Sequence, residues 1–473
     1  MPGRKTTVNG RRTIRDEFRT EDGYALASML YLIVILSLLA SSIITIQQFR
    51  KRVALKEVAQ VKAEYAAESG VAMALAHLER REEISRILSR SREEFAFEDG
   101  GRATVEIHAW GVFLRVRSEG AFRQTKALRI ALAADRPSEA FSNALVFGNE
   151  SHQLVFAGAA SVEGDVIVGQ PGVTVGNLRD RSSPSQIPIK GSIRRTPSPE
   201  VPSFEAPQLS QELASYNTLL HEAAAGTGQT SHSLRFESEY RTIIRSETIP
   251  DSISSVFVKG EATLHGTAFR LDAPLYIAVD GPILIAGNAR LSGLIAVLAS
   301  GEIEVSSDVM LDQVILYSLD SIKISARSNI SSQMISGSIM LDEHAVARYP
   351  SVLLSTQLRS SHDLSRAIIL KDNAKVEGLI ALTVDRADAR EEELVNVHAT
   401  ASVVGAVVSN ARLTLDGTVA GTVMTEDFYF YEPPTSYLGW LRSGRIDRNK
   451  LPSSFFVPPG FSDELRLDVL DWL

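Results

Sequence analysis

Cysteine is absent from the chain, and with it go disulfides, Cys-ligated zinc, iron–sulfur clusters and thiol nucleophiles. Positive charge is not in surplus either. The 49 Lys and Arg stand against 57 Asp and Glu, a formal net charge of -8, so no overall basic field exists to grip nucleic acid. No GxxxxGK[ST] loop, HExxH pair, His-x-His or DxDxDG loop occurs, which leaves nucleotide, zinc and calcium chemistry without a motif. Proline is missing between Pro2 and Pro137, so nothing in that stretch forces a helix to break. From Tyr24 to Phe49 charge is missing altogether. What remains is 473 residues, 44% hydrophobic and 22% charged, enough apolar material for two to four folded units and too much for wholesale disorder.

The uncharged run is longer than the roughly 20 residues that cross a hydrocarbon core, and longer than the apolar centre of a cleaved secretory signal. It reads as an uncleaved single-pass anchor over 24–49, with a core helix as the alternative. The leader, 1–23, carries Arg4, Lys5, Arg11, Arg12, Arg15 and Arg19, which argues for a cytoplasmic N-terminus in an inner membrane and an ectodomain on the far side. Beyond Phe49, Val58, Val61, Tyr65, Ala72 and Leu75 recur at helical steps. One helix therefore runs on as a stalk over 50–98, as far as about Ser91, before Gly100 and Gly101 stop it. Residues 99–135 then alternate, through Val105, Ile107 and Ala109, Val112, Leu114 and Val116, and Leu128, Ile130 and Leu132. Three short antiparallel strands, with Gly111 and Gly120 near turns, form a small sheet on which the helix lies.

A basic leader, Gly23, the aromatic Tyr24, an unbroken apolar helix and then Tyr65-Ala66-Ala67-Glu68-Ser69-Gly70 resemble the type IV pilin superfamily. The nearest branch is that of the PilX-type minor pilins and K-type pseudopilins of type II secretion, over roughly residues 16–133. That resemblance implies cleavage by a prepilin peptidase between Gly23 and Tyr24, N-methylation of Tyr24, and partnership with other pilin subunits through the helix. Glu68 and Gly70 match the "AAE-small-Gly" stretch that commonly follows the apolar helix. Pilins usually carry Glu at the fifth mature position, whereas this chain has Ser28; the departure favours a tip or accessory subunit over a filament-forming one.

From about 136 to 427 the sequence turns to short Val/Ile/Leu-rich strands broken by Gly, Asn, Asp and Ser. A unit of the form small–x–aliphatic–x–Gly–x–aliphatic recurs. Asn288 to Ile295 aligns with Asp308 to Ile315 and Asn373 to Ile380, and more loosely with Ala160–Gly164, Ala262–Gly266, Ala401–Gly405 and Gly417–Gly421. A period near 20 suits a large parallel β-helix, or β-solenoid, whose inward side chains stack from turn to turn. Ile283, Ile303, Ile322 and Ile339 are expected to form one such inward stack. The fold class is thus mainly β with a long N-terminal α-helix; a β-sandwich is the alternative, since regular short strands suit it too.

The Pro/Ser/Arg-rich stretch from Gly176 reads as an insertion over 176–225, ending in a helix near Leu209–Ala224, and Asp385–Val397 as a second, charged one. The segment 428–473 gathers ten aromatics and reads as a cap over an open solenoid end; an aromatic platform for a polysaccharide or protein is the sharper alternative. Asp308, Asp312, Asp320, Asp342, Glu343 and His344 fall at corners, where turn formation is the simpler role, and His362-Asp363 is a lone neighbouring pair. No catalytic residue, metal or cofactor is expected. The chain reads as a non-enzymatic, pilin-like envelope protein serving bacterial pilus assembly, secretion or adhesion. The alternatives are a bactofilin-like polymerising scaffold and a membrane-tethered carbohydrate-active protein.

Overall fold

The computed structural model describes residues 17–79, 92–178, 186–204, 207–227, 230–237, 240–250, 252–266, 268–356, 367–384, 395–461 and 465–473. It is mainly β, with one long N-terminal helix, α1 (Glu17–Glu79). The stretch to Ser91 expected to prolong that helix lies outside the described residues.

The small sheet begins earlier and is larger than three short strands. It contains β1 (Arg92–Ala96), β2 (Arg102–Trp110), β3 (Phe113–Phe122) and β4 (Thr125–Asp135). A fifth strand, Leu467–Trp472, arrives from the far end of the chain and pairs antiparallel with β4. Gly111 sits at the β2–β3 turn, but Gly120 lies inside β3, paired with Ala103 and Ala127. The sequence between β4 and that last strand, more than three hundred residues, is therefore an insertion into the small sheet.

The insertion is a stack of turns, with most strands lying parallel on equivalents about one turn away. Three ladders run through it. In the first, an apolar column passes from Leu234 through Val256, Ile277 and Val297. It continues to Val423 and then, out of chain order, through Leu145 and Val166 to Ile193. In the second, Ile283, Ile303, Ile322 and Ile339 oppose one another in turn, at most 2% exposed. In the third, Val376 opposes Val403 and Val403 opposes Val419, so the repeated unit over 373–421 aligns in space as it does in sequence. Gly378, Gly405 and Gly421 stack at its bend, where an added Cβ would lie within 2 Å of the carbonyl oxygen one turn below. Ala262–Gly266 belongs elsewhere: Leu264 pairs with Ile285 in the second ladder.

Chain order and spatial order differ at one end. Leu145–Phe147, Ser161–Glu163 and Val166–Val168 extend the stack past Thr418–Glu432 and Arg445–Asp447. Ile189–Lys190 and Ile193–Arg195, inside the expected excursion, add strands beyond them. Helix α2 (Pro207–Ala225) then carries the chain back toward Ser233–Glu237, where the run begins. The segment from 428 consequently does not cap an end. The strands at 145–195 occupy that position, and Arg445–Asp447 is itself a rung of the third ladder.

The first ladder is apolar on both faces, as its unbroken runs such as Leu294–Ala299 require. Its outer face is covered by Tyr216 and Leu220 of α2, by Trp110, Val112 and Leu132 of the small sheet, and by Phe455 and Phe461. Asp135, fully buried at the end of β4, belongs to this joint. One carboxylate oxygen accepts from Arg466 N at 2.7 Å, and the other has no partner.

Burial pushes the Asp135 carboxyl up from 3.8 to about 6, against the lowering effect of its bonds to the Arg466 and Arg136 amides. Between pH 4 and 6 the native chain thus holds a proton that the unfolded chain has lost. Stability falls as pH rises through that window, and the whole cost, about 3 kcal/mol at 1.36 kcal/mol per pKa unit, is present above it. In thermal melts across pH 4–8, Asp135→Asn is expected to remove this loss, and equal slopes for the two proteins would refute it.

Candidate functional site

Every described residue from Tyr24 to Val58 is exposed. Tyr24 is 83% exposed and Phe49 66%. The helix is long and apolar enough to cross a membrane. Three of its hydroxyls bond to its own backbone: Ser28 donates to the Ala25 carbonyl at 3.1 Å, Ser37 to Ile33 at 2.7 Å and Thr45 to Ser41 at 2.8 Å, which satisfies those donors without water.

Past Val58 the helix acquires a seat. Ala59, Ala63, Ala66, Ala67, Gly70, Val71, Ala74, Leu75 and Leu78 are buried against β2, β3 and β4. From Ala59 to Gly70 the contact face consists of small residues, with Val71, Leu75 and Leu78 joining Ala74 beyond, and it is not the face marked by Val58, Val61, Tyr65 and Ala72. Those four are exposed, and only Leu75 of that set is buried. A periodicity search weighted toward large apolar residues finds the free stripe and misses the Ala/Gly face, whose value is close approach.

Two glycines set that approach. An added Cβ at Gly70 would lie 2.6 Å from Ala103 Cβ and 2.7 Å from Ser118 Oγ. At Gly120 it would lie 2.1 Å from the Ala63 carbonyl oxygen and 2.4 Å from Ala67 N, so β3 and α1 meet backbone to backbone. Polar clamps flank the contact. Arg129 of β4 donates to Glu64 at 3.1 Å and to Glu68 at 3.3 Å, and Lys62 to Asp99 at 3.2 Å. Glu68 and Gly70 thus meet at the seat, while Gly23, Tyr24 and Ser28 lie along the apolar end and are not brought to it. Arg129, which the sequence did not single out, and Gly120, which it assigned to a turn, complete the arrangement; an isolated Gly within an alternating strand is the signal that marks such a close approach.

Elsewhere, a half-open cleft of about 350 Å³ is lined by Asp372, Asn396, His398, Thr414, Asp416, Phe430, Tyr431 and Arg442. Arg442 is bound to both Asp416 carboxylate oxygens and lies 5.0 Å over the Phe430 ring, and Phe430 stacks on Tyr437. Nearby, burial raises the Asp427 carboxyl against the pull of His152, whose Nδ1 is 2.7 Å away. Asn149 Nδ2 and Gly439 N also donate to it. The corner acids are separately employed: Asp308 accepts from Asn288 N at 2.9 Å and Asp342 pairs with Lys371 at 2.6 Å. Among the described residues no three His, Asp or Glu converge as a metal site; His362 and Asp363 lie outside them.

No family model and no curated protein matches the chain. Among solved structures it is similar to the competence-associated pilin ComZ from Thermus thermophilus, at 11% identity and a TM-score of 0.21, over 88% of this chain and 97% of that one. A likeness at that level establishes neither fold nor function.

The seat makes a quantitative demand. Gly120→Ala forces a methyl into the α1 backbone and is expected to cost about 1–3 kcal/mol as an overpacked contact, read as a lowered melting temperature of the detergent-solubilised chain and faster proteolysis within 59–79. Glu68→Gln, at a half-exposed ion pair, is expected to cost less than about 1 kcal/mol. Equal effects of the two would show that the clamp, and not the close approach, holds the helix.

Proposed function

We propose that this chain is a non-enzymatic, pilin-like envelope protein of the minor pilin or pseudopilin kind, anchored in the inner membrane with its N-terminus in the cytoplasm. The observation that carries the reading is the division of α1 into a bare apolar half and a seated half, with a small antiparallel sheet holding the seat. The Gly23-Tyr24 junction and the Ala66-Ala67-Glu68-Ser69-Gly70 stretch support it by resemblance. So does the exposed stripe of Val58, Val61, Tyr65 and Ala72, which extends the apolar surface past the uncharged span and offers a path for packing against other pilin helices.

In this reading the inserted stack of parallel turns is a β-solenoid displayed on a pilin frame. Because it enters after β4 and leaves into the next strand of the same sheet, both of its connections are fixed by antiparallel pairing. Its role is contact with other envelope or surface components in pilus assembly, secretion or adhesion, and it requires no chemistry at the cleft.

Mass spectrometry of the chain isolated from a host with a prepilin peptidase is the test. The reading expects a mature N-terminus at Tyr24 carrying one methyl group, abolished by Gly23→Val. A chain that keeps residues 1–23 in that host would overturn it.

A further inference from the structure

A parallel stack that does not close on itself has two different ends, and among the described residues the first ladder stops at each on a strand whose inward residues are only partly covered. At one end Ile189–Lys190 and Ile193–Arg195 pair only with Ser161–Glu163 and Val166–Val168 beneath them. At the other, Ser233–Glu237 and Thr242–Ile244 pair with Ser255–Lys259 and Ala262–His265. In the first ladder, the outer edges of Ile193–Arg195 and of residues 234–237 offer backbone N–H and C=O groups to a further strand. The apolar column of the first ladder runs out at the same places. Val166 is fully buried, whereas Ile193, next in the column, is 41% exposed. At the opposite end of the first ladder Leu234 and Phe236 are half-buried, whereas in the second ladder the inward Ile244 is fully buried.

We propose that the two ends dock on each other, so that a second copy of this chain stacks head to tail on the first. Register is the argument. Each turn lies parallel on its neighbour, so the edge that Ile193–Arg195 presents has the same direction as the edge that any inner turn presents to the next. Setting Ile193 of one copy against Leu234 of another continues the column as Val166, Ile193, Leu234, Val256 and covers both half-exposed ends. Arg194 then faces Arg235, whose guanidinium is already turned onto the Glu222 and Thr227 carbonyls and lies 3.9 Å from the Glu237 carboxylate of its own copy. Joining two like ends would reverse the strand direction and leave the other ends open. The contact is therefore heterologous and non-closing, which produces a linear array and not a closed dimer. It uses neither α1 nor its seat, so it stands or falls independently of the pilin reading.

The cysteine-free sequence makes the test clean. In the proposed register Thr196 of one copy lies beside Glu237 of the next. Full-length Thr196→Cys and Glu237→Cys chains, mixed in detergent micelles at rising concentration and oxidised with copper phenanthroline, are expected to form a cross-linked dimer that neither gives alone. Adding Ile193→Lys to the first chain is expected to reduce that product about tenfold, the effect of losing one buried apolar side chain. Ile193→Ser serves the same purpose should the lysine variant melt earlier than its parent. The proposal is overturned if the mixture yields no more cross-link than the single variants. It is equally overturned if Arg290→Cys, on the side of the stack, cross-links to Glu237→Cys as efficiently.

Discussion

Apolar surface left in water costs on the order of 25 cal/mol per Å², and the run from Tyr24 to Phe49 leaves a whole helix circumference uncovered by its own chain. Three of its hydroxyls are satisfied internally and it carries no charge, which lowers its cost in an apolar medium. The remainder follows from that placement. On the proposed placement, a helix fixed in lipid at one end needs a rigid grip at the other, and the face from Ala59 to Leu78, pressed onto β2–β4, supplies one. A grip made at backbone distance, as at Gly120, transmits position to the sheet with little slack.

The sheet in turn governs the stack. Its fourth strand delivers the chain into the insertion and its fifth receives it back. Trp110, Val112 and Leu132 cover part of the outer face of the first ladder, and Val112 N donates to the buried Gln333 side chain at 2.8 Å. The stack is thus packed against the small sheet and not merely tethered to it. Two covers that sequence order keeps apart, α2 and the segment around Phe455 and Phe461, complete the same surface. A ladder that is apolar on both faces cannot stand at the edge of a protein, and this one is enclosed from several directions.

Much of this was legible in the sequence because it rests on local periodicity. The uncharged run, the alternation in β2–β4, the isoleucine stack and the repeated unit at 373–421 each depend on residues close together in the chain, and each appears where the spacing puts it. What escaped rests on sequence-distant pairing. Nothing local announces that Leu467–Trp472 returns to β4, or that Leu145–Phe147 lies past Thr418–Glu432. For that reason the aromatic segment from 428 read as a cap for an end that earlier residues already occupy. The seat escaped for a different reason: alanine and glycine contribute little to a hydrophobic pattern, although their small size is what close packing requires. Gly120 looked like a turn residue until its neighbours across the helix were visible.

The central claim is that the bare half of α1 resides in lipid. Alkaline carbonate extraction of membranes from cells expressing the full chain without other pilus components tests it directly. The account expects the full chain to stay in the membrane pellet and a chain starting at residue 59 to be released. Recovery of the full-length protein in the carbonate supernatant would contradict it.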